Sequence, residues 1–190
     1  MTSPRLFPVF VKLAGRKVVV VGGGRVAAAK LPALQAAGAD ITVVAPSVKA
    51  IIDASGVRVE RRGFQPSDLD GAWYVVAAAT PALNAEVARA ADERRIFVNA
   101  VDDRDTASAY LGGVLERGGV TVAFSTEGQA PAIAGLLREG IDSLLPADLD
   151  RWVAEAESLR AQWKADAVPM NERRPLLLQA LNRIYDKGSS

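Results

Sequence analysis

The sequence of 190 residues predicts an α/β protein with a doubly wound parallel sheet. Four consecutive valines, residues 18–21, are typical of a strand that is buried on both faces of such a sheet. Four strand-length apolar runs are each followed by a helical segment before a fifth run ends near residue 99. Hydrophobic residues make up 49% of the chain, which is enough for a sizeable core. The length favours one domain with an appendage.

A glycine-rich turn follows the first predicted strand. Its pattern, Gly22-x-Gly24-x-x-Ala27, fits the small-residue version of the dinucleotide-binding fingerprint. The first glycine permits a tight turn, the second lets the backbone approach a pyrophosphate, and the alanine lets the following helix pack closely. The helix N-terminus then offers N–H groups and a positive dipole end to phosphates. A tight turn without any ligand is the alternative for this motif taken alone.

The second predicted strand ends without the acidic residue that normally binds the adenosine ribose about twenty residues after the glycines. Asp40 lies at the wrong end of that strand. We expect the backbone of Pro46 and Ser47 and the Ser47 hydroxyl to contact the nucleotide instead. Thr80 follows the fourth strand, where it either caps the next helix or contacts the cofactor. The predicted cofactor-binding residues are Gly22, Gly23, Gly24, Arg25, Val26, Pro46, Ser47 and Thr80.

The predicted elements follow from hydrophobic period and from glycine and proline positions. In the first half we expect strands at 18–21, 39–45, 57–61, 73–79 and 96–99, and helical segments at 24–37, 47–54, from 65, and 82–94. The pattern then changes to an antiparallel strand pair, 107–116 and 120–125. A loop at 125–131 opens a helix to about 145, and amphipathic helices follow at 148–165 and 172–185.

The composition excludes several kinds of chemistry. The chain has no cysteine and no histidine, which excludes disulfides, thiolate or histidine metal sites and cysteine nucleophiles. Acid–base chemistry near pH 7 must use carboxylates, lysine, tyrosine, water or the substrate. The net charge of +1 gives no argument for nucleic acid, and no stretch is long and apolar enough for a signal peptide or a membrane span. We expect a cytoplasmic protein without a nucleic-acid or membrane partner.

Four blocks of residues resemble the precorrin-2 dehydrogenase / sirohydrochlorin ferrochelatase family of siroheme biosynthesis. The blocks are residues 7–30 around the glycines, 77–80 with 99–102, 125–131 with 136–139, and 172–174. Their order and spacing match over nearly the whole chain. The glycine block alone is weakly specific, whereas the four blocks together are fairly specific.

The resemblance implies oxidation of precorrin-2 to sirohydrochlorin with NAD⁺ as hydride acceptor, and in some members insertion of Fe²⁺ or Co²⁺. It implies a Rossmann domain over residues 1–113, a dimerisation region over 114–146 and a helical region over 147–190. It also implies a homodimer with a tetrapyrrole substrate, in the form that is not fused to a methyltransferase. An NAD(H)-sensing regulatory module without tetrapyrrole turnover is the alternative.

The family's catalytic aspartate falls on Asp102. Hydride loss from a reduced tetrapyrrole must be accompanied by proton loss, and a carboxylate at the strand ends can accept that proton; the alternative is that Asp102 caps a turn. The resemblance and the strand ends together suggest six substrate-binding residues, which are Asn99, Ser125, Thr126, Gly128, Gln129 and Ala130. Arg104, Arg117 and Arg138 are either partners for substrate carboxylates or ordinary solvated arginines. No residue is predicted as a metal ligand.

Overall fold

The computed structural model describes residues 6–101, 103 and 105–186, without the side chains of 185 and 186. The described chain forms two compact units, the first ending at Leu111 and the second beginning at Gly112. The elements of the first unit are β1 Lys17–Val21, α1 Arg25–Ala36, β2 Asp40–Val44, α2 Ala50–Asp53, β3 Arg58–Glu60, a 3₁₀ helix Pro66–Leu69, β4 Tyr74–Ala77, α3 Pro81–Glu93 and β5 Phe97–Ala100. Those of the second are β6 Gly113–Arg117, β7 Val120–Phe124, α4 Pro131–Leu144, α5 Leu149–Ala165 and α6 Met170–Asp186.

The sheet of the first unit confirms the predicted fold class. Its strand order is β3-β2-β1-β4-β5, and each neighbouring pair is parallel. This is the order of a Rossmann sheet, in which the chain changes direction between β1 and β4. The carboxyl ends of these two strands therefore border the crevice where ligands of this fold bind.

The four valines of β1 hold together the two cores of the first unit. Successive strand residues point to opposite faces, so Val18 and Val20 face one layer and Val19 and Val21 the other. The first pair packs with Leu31 of α1 and Ile52 of α2. The second pair packs with side chains of α3 and the 3₁₀ helix. All four valines are almost completely buried, as the prediction of a strand covered on both faces required.

Two predicted boundaries in the first unit and its neighbouring segment are wrong. The second helix begins at Ala50 and not at Ser47, because the backbone before it is held against the glycine turn. The sixth strand begins at Gly113 and not near Ala107. Ser108 lies beside β5 instead, where its N–H donates to the Val98 carbonyl and its hydroxyl accepts from the Val98 N–H. This contact satisfies backbone groups at the edge of β5.

The second unit contains the predicted antiparallel pair, β6 with β7. Helix α4 packs on β6, and a Cβ on Gly113 would lie 3.2 Å from the Ala134 carbonyl oxygen. Helix α6 begins at Met170, two residues earlier than predicted. The three-part division with boundaries after residues 113 and 146 stays a prediction. Among the described residues, none of the helices has the length and apolar character needed to cross a membrane.

Candidate functional site

The turn after β1 is shaped by Gly22. Its N–H donates to the Val44 carbonyl at 3.0 Å, and the neighbouring Ala78 N–H donates to the Val21 carbonyl at 2.8 Å. Its φ is +125°, a conformation that side chains rarely adopt. A Cβ at this position would lie 2.2 Å from the Ala78 carbonyl oxygen. A glycine is therefore required here for both conformation and space.

Gly23 ties the turn to the segment that follows β2. A Cβ on Gly23 would lie 1.9 Å from the Ser47 carbonyl oxygen. The Gly23 carbonyl accepts a hydrogen bond from the Lys49 N–H at 2.9 Å. These contacts place Pro46 and Ser47, both exposed, beside the glycine turn, which is where the sequence predicted a contact with the nucleotide.

Gly24 leaves the space that a pyrophosphate needs. No described atom lies within 4 Å of a Cβ built on it, and it is the N-cap of α1. Within the described residues, no side chain caps this helix, and its first turn holds no acidic residue. Gly24, Arg25 and Val26 are exposed, whereas Ala27 in the first turn of α1 is fully buried. The close turn, the open position and the uncapped helix start fit the pyrophosphate of a dinucleotide.

The end of β4 completes this edge of the sheet. Thr80 is the N-cap of α3, with its hydroxyl accepting from the Leu83 N–H at 3.4 Å, which confirms the capping alternative. Its contact with a cofactor stays a prediction. The sequence analysis did not single out Asn84, whose buried side-chain oxygen accepts from the Ala79 N–H at 2.9 Å. An asparagine near a helix start was the available signal, since such side chains often bond nearby backbone.

Hydrogen bonds fix the chain at the carboxyl end of β5. Asn99 is buried, and its amide donates to the Ala109 carbonyl at 3.0 Å, so the predicted substrate residue has a partner inside the protein. The Val101 N–H donates to the Ala77 carbonyl at 3.0 Å. The predicted catalytic Asp102 and the candidate Arg104 lie outside the described residues.

Asp103 organises the turn that follows. Its carboxylate accepts from the N–H groups of Asp105 at 3.1 Å and Thr106 at 3.2 Å. Interaction with the Thr106 side chain first, and with the backbone N–H groups next, holds the pKa of Asp103 below its usual value. Because its pKa is lowered and its oxygens accept hydrogen bonds within the turn, this carboxylate is a weaker base than an ordinary aspartate.

The predicted substrate loop in the second unit uses several of its own donors. The Ser125 hydroxyl accepts from the Glu127 N–H, and the Thr126 hydroxyl accepts from the Ala130 N–H, both at 3.1 Å. The Ala130 N–H is therefore not free for a substrate. Each hydroxyl keeps its own proton to donate. Gly128, with a φ of +70°, and Gln129 are exposed.

The candidate arginines have different surroundings. Arg117 donates to the carbonyl groups of Asp142 at 2.9 Å and Leu145 at 3.1 Å and forms an ion pair with the Asp142 carboxylate. It therefore ties β6 to the end of α4. Arg138 contacts only its neighbour Glu139, at 3.3 Å, among the described residues. The described residues contain no group of three or more side chains suited to hold a metal ion.

Residues 9–113 match a protein-family model described as "Putative NAD(P)-binding". This range covers the whole five-stranded sheet and the glycine turn. The chain belongs to this NAD(P)-binding family. The predicted cofactor, NAD, is confirmed by the match.

Relatives of this family member are siroheme synthases. The chain is 40% identical to siroheme synthase 1 of Serratia proteamaculans (strain 568) and 42% identical to siroheme synthase 3 of Aeromonas hydrophila, each over 172 residues. These matches cover 88% of the chain but only 36% and 37% of the two relatives, so the chain spans little more than a third of their length.

Among solved structures, the chain is similar to SirC, precorrin-2 dehydrogenase, with 26% identity and a TM-score of 0.69. The match covers 92% of this chain and 88% of that one. The resemblance to the precorrin-2 dehydrogenase / sirohydrochlorin ferrochelatase family is confirmed by these relatives.

Proposed function

We propose that this family member oxidises precorrin-2 to sirohydrochlorin with NAD⁺ in siroheme biosynthesis. The observation that carries the proposal is the dinucleotide cradle of Gly22, Gly23 and Gly24 in a chain similar, over 92% of its length, to a precorrin-2 dehydrogenase. Bound NAD⁺ supplies the hydride acceptor. The chain supplies the pyrophosphate site at the start of α1, and the exposed Pro46 and Ser47 border the position of the adenosine.

Asp102 is the proton acceptor in this proposal. When a hydride leaves the reduced macrocycle, a proton must leave as well, and a carboxylate beside the substrate can take it. Support comes from the residues around position 102. The Val101 N–H donates a hydrogen bond to the Ala77 carbonyl on the neighbouring strand, and the Ala78 N–H donates one to the Val21 carbonyl at the glycine turn. Two strand spacings separate Val101 from that turn, about 10 Å, a distance that an extended dinucleotide spans easily.

The substrate carries many carboxylates, and the loop at residues 125–131 offers donors for them. The hydroxyl oxygens of Ser125 and Thr126 each accept one backbone N–H, and each hydroxyl keeps its own proton to donate to a substrate carboxylate. Gln129 adds an exposed amide. We therefore assign binding of the substrate carboxylates to the side chains of Ser125, Thr126 and Gln129. The Ala130 N–H is a weaker candidate, because it already donates to Thr126 within the loop.

We also propose that the protein forms a homodimer. The second unit exposes large apolar side chains on α4 and on the neighbouring β6, namely Val114, Ile133, Leu136, Leu137 and Leu144. A surface of this kind is typical of an interface between protein chains. Residues 114–146, which the resemblance assigns to dimerisation, contain all five of these side chains.

The decisive experiment is an anaerobic assay with freshly made precorrin-2 and NAD⁺. The absorbance of NADH and of sirohydrochlorin measures the progress of the reaction. We expect Asp102→Asn to lower turnover by about 100-fold or more while the Kd for NAD⁺ stays unchanged. Asp105→Asn is the matched control, since Asp105 is an exposed carboxylate close to Asp102 in the sequence, and it should retain full turnover.

Two outcomes separate the alternatives. Formation of NADH and sirohydrochlorin supports the dehydrogenase. Tight NAD⁺ binding with no turnover and no tetrapyrrole binding supports the regulatory module and overturns the proposal. Addition of Fe²⁺ or Co²⁺ to the finished reaction then tests for metal insertion, which the metallated tetrapyrrole spectrum reports.

A further inference from the structure

The segment that follows β2, where a Rossmann fold binds the adenosine ribose, lacks the usual negative charge. In a Rossmann fold, an acidic residue at the end of the second strand binds the ribose 2′-hydroxyl and disfavours the 2′-phosphate of NADP. Here β2 ends at Val44 and is followed by Ala45, Pro46 and Ser47, so no carboxylate stands on this segment. A 2′-phosphate would meet a hydroxyl group, not a negative charge.

Lys49 adds a positive charge to the same segment. Its N–H donates to the Gly23 carbonyl at 2.9 Å, which fixes its backbone against the phosphate-binding turn. Two residues before it, the Ser47 carbonyl lies against Gly23 so closely that a Cβ could not fit. The Lys49 side chain is exposed, and the ammonium group ends a flexible four-carbon stem. Among the described residues it forms no ion pair.

The neighbouring carboxylates are occupied by other partners. Asp53 on α2 pairs with Arg61 at 2.6 Å, and Asp68 is held by Arg62 through two hydrogen bonds of 2.6 and 2.9 Å. Glu60 on β3 pairs in register with Val44 on β2, which separates β3 from β1, and the Glu60 carboxylate lies 3.9 Å from the Arg62 guanidinium. Among the residues that the structure describes, Lys49 is therefore an unpaired cation on the segment that borders the glycine turn.

We propose that Lys49 binds the 2′-phosphate of NADP⁺ and that this chain accepts NADP⁺ as well as NAD⁺. The proposal rests on the cofactor site of the proposed function and goes beyond it by naming a residue that determines cofactor specificity. Ser47 donates its hydroxyl to either a ribose 2′-hydroxyl or a 2′-phosphate. Lys49 pairs with the phosphate only, so its contribution is specific to NADP⁺.

Calorimetric titration of the full chain with NAD⁺, NADP⁺, adenosine 5′-phosphate and adenosine 2′,5′-bisphosphate tests this assignment without any turnover. The two adenosine probes differ only in the 2′-phosphate. We expect the wild-type Kd values for NADP⁺ and NAD⁺ to lie within about tenfold of each other. Lys49→Gln should weaken NADP⁺ and the bisphosphate by about tenfold or more, the loss typical of a charged hydrogen bond, and leave NAD⁺ unchanged.

Three further variants sharpen the test. Arg25→Gln, at the pyrophosphate end, should weaken both dinucleotides equally. Ser47→Asp should weaken NADP⁺ selectively, because its carboxylate restores the missing negative charge. Lys164→Gln removes an exposed lysine of α5 and should change neither affinity. The loss caused by Lys49→Gln should shrink at high salt, as expected for an exposed ion pair.

The inference is overturned if wild-type protein binds NAD⁺ but binds NADP⁺ more than about 100-fold more weakly, or if Lys49→Gln weakens both dinucleotides alike. In either case NAD⁺ binding persists in the wild type and the proposed dehydrogenase function stands. Failure of the wild type to bind any dinucleotide would overturn the proposed function together with this inference.

Discussion

Three consecutive glycines perform three different tasks in this protein. Gly22 adopts a conformation with positive φ next to the Ala78 carbonyl, Gly23 lies against the Ser47 carbonyl, and Gly24 faces open space at the start of α1. The first two let protein atoms approach each other closely, and the third leaves open space where the proposed pyrophosphate site lies. Substitution at each position should therefore have a different consequence.

Gly23→Ala and Gly24→Ala form a matched pair of variants. The alanine Cβ at position 23 would overlap the Ser47 carbonyl oxygen, so we expect a loss of about 1–3 kcal/mol in the free energy of unfolding. At position 24 the Cβ meets no described atom, so stability should change by less than about 1 kcal/mol, while the Kd for NAD⁺ should rise at least tenfold. Urea unfolding and calorimetric titration measure the two effects. Equal stability of both variants would contradict this division of tasks.

Local motifs were predictable at this scale, and long-range contacts were not. The fingerprint predicted the tight turn at Gly22 because that role follows from the motif's spacing, and the phosphate contact of Gly24 stays a prediction. The hydrogen bond from Lys49 to Gly23 joins residues 26 positions apart, and the amide contact of Asn99 depends on how the chain returns beside β5. Neither follows from the period or spacing of the sequence.

The edge strand β3 is short, and ion pairs of the arginines that follow it connect it to other elements. It contains three residues, and the arginines that follow it reach back to other elements. Arg61 pairs with Asp53 on α2, and Arg62 forms a two-point contact with Asp68 in the 3₁₀ helix. The Asp68 carboxylate also accepts from the Gln65 N–H at 2.8 Å, which closes the first turn of that helix. Asp68 thus connects the edge of the sheet to the segment that leads into β4.

This connection predicts a pH-dependent stability. The hydrogen bond from Arg62, followed by the Gln65 N–H, holds the pKa of Asp68 below its usual value. A carboxyl with a lowered folded-state pKa stabilises the fold above its unfolded value, about 4, and this contribution is lost as the pH falls through the folded-state pKa. We expect Asp68→Asn to lower the free energy of unfolding by about 1–3 kcal/mol at pH 7, and the difference from wild type to shrink below about pH 4.

Asp53→Asn is the control for this prediction. The Arg61–Asp53 pair is about half exposed on both sides, so its loss should change stability by less than about 1 kcal/mol. Urea unfolding of the wild type and both variants at pH 7 and pH 3.5 compares them directly. A stability difference for Asp68→Asn that is as large at pH 3.5 as at pH 7 would contradict the assigned role of the carboxylate.

The order of the elements was readable from the sequence, whereas some of their boundaries were not. Buried valines and the helix-capping Thr80 are local signals, and the structure confirms both. The start of α2 was misplaced because tertiary contacts hold the Ser47 carbonyl and the Lys49 backbone N–H next to Gly23, and Lys49 has extended backbone. Similarly, the apolar run at 107–111 looks like part of a hairpin strand, but hydrogen bonds of Ser108 and Ala109 attach it to β5.

The two compact units differ in how they cover apolar surface. The first buries the valines of β1 completely between two layers of helices. The second exposes a face of α4, on which Ile133, Leu136 and Leu137 follow the spacing of one helical side. Since burying each large apolar side chain contributes about 1.5–3 kcal/mol, leaving this face in water would be costly. A second copy of the chain covers it in the proposed homodimer.

The final prediction tests this face. Leu136 is 66% exposed, and Leu136→Glu places a charge in the middle of the proposed interface without disturbing a buried core. We expect the wild type to sediment as a dimer at micromolar concentration and the variant as a monomer with an unchanged helical content. Leu178→Glu on α6 changes a leucine that is 53% exposed outside this face, and it should remain dimeric. A monomeric wild type, or a dimer that survives Leu136→Glu, would assign the apolar face of α4 to something other than a second copy. If both leucine variants dissociated the dimer equally, the interface would have to include α6 as well.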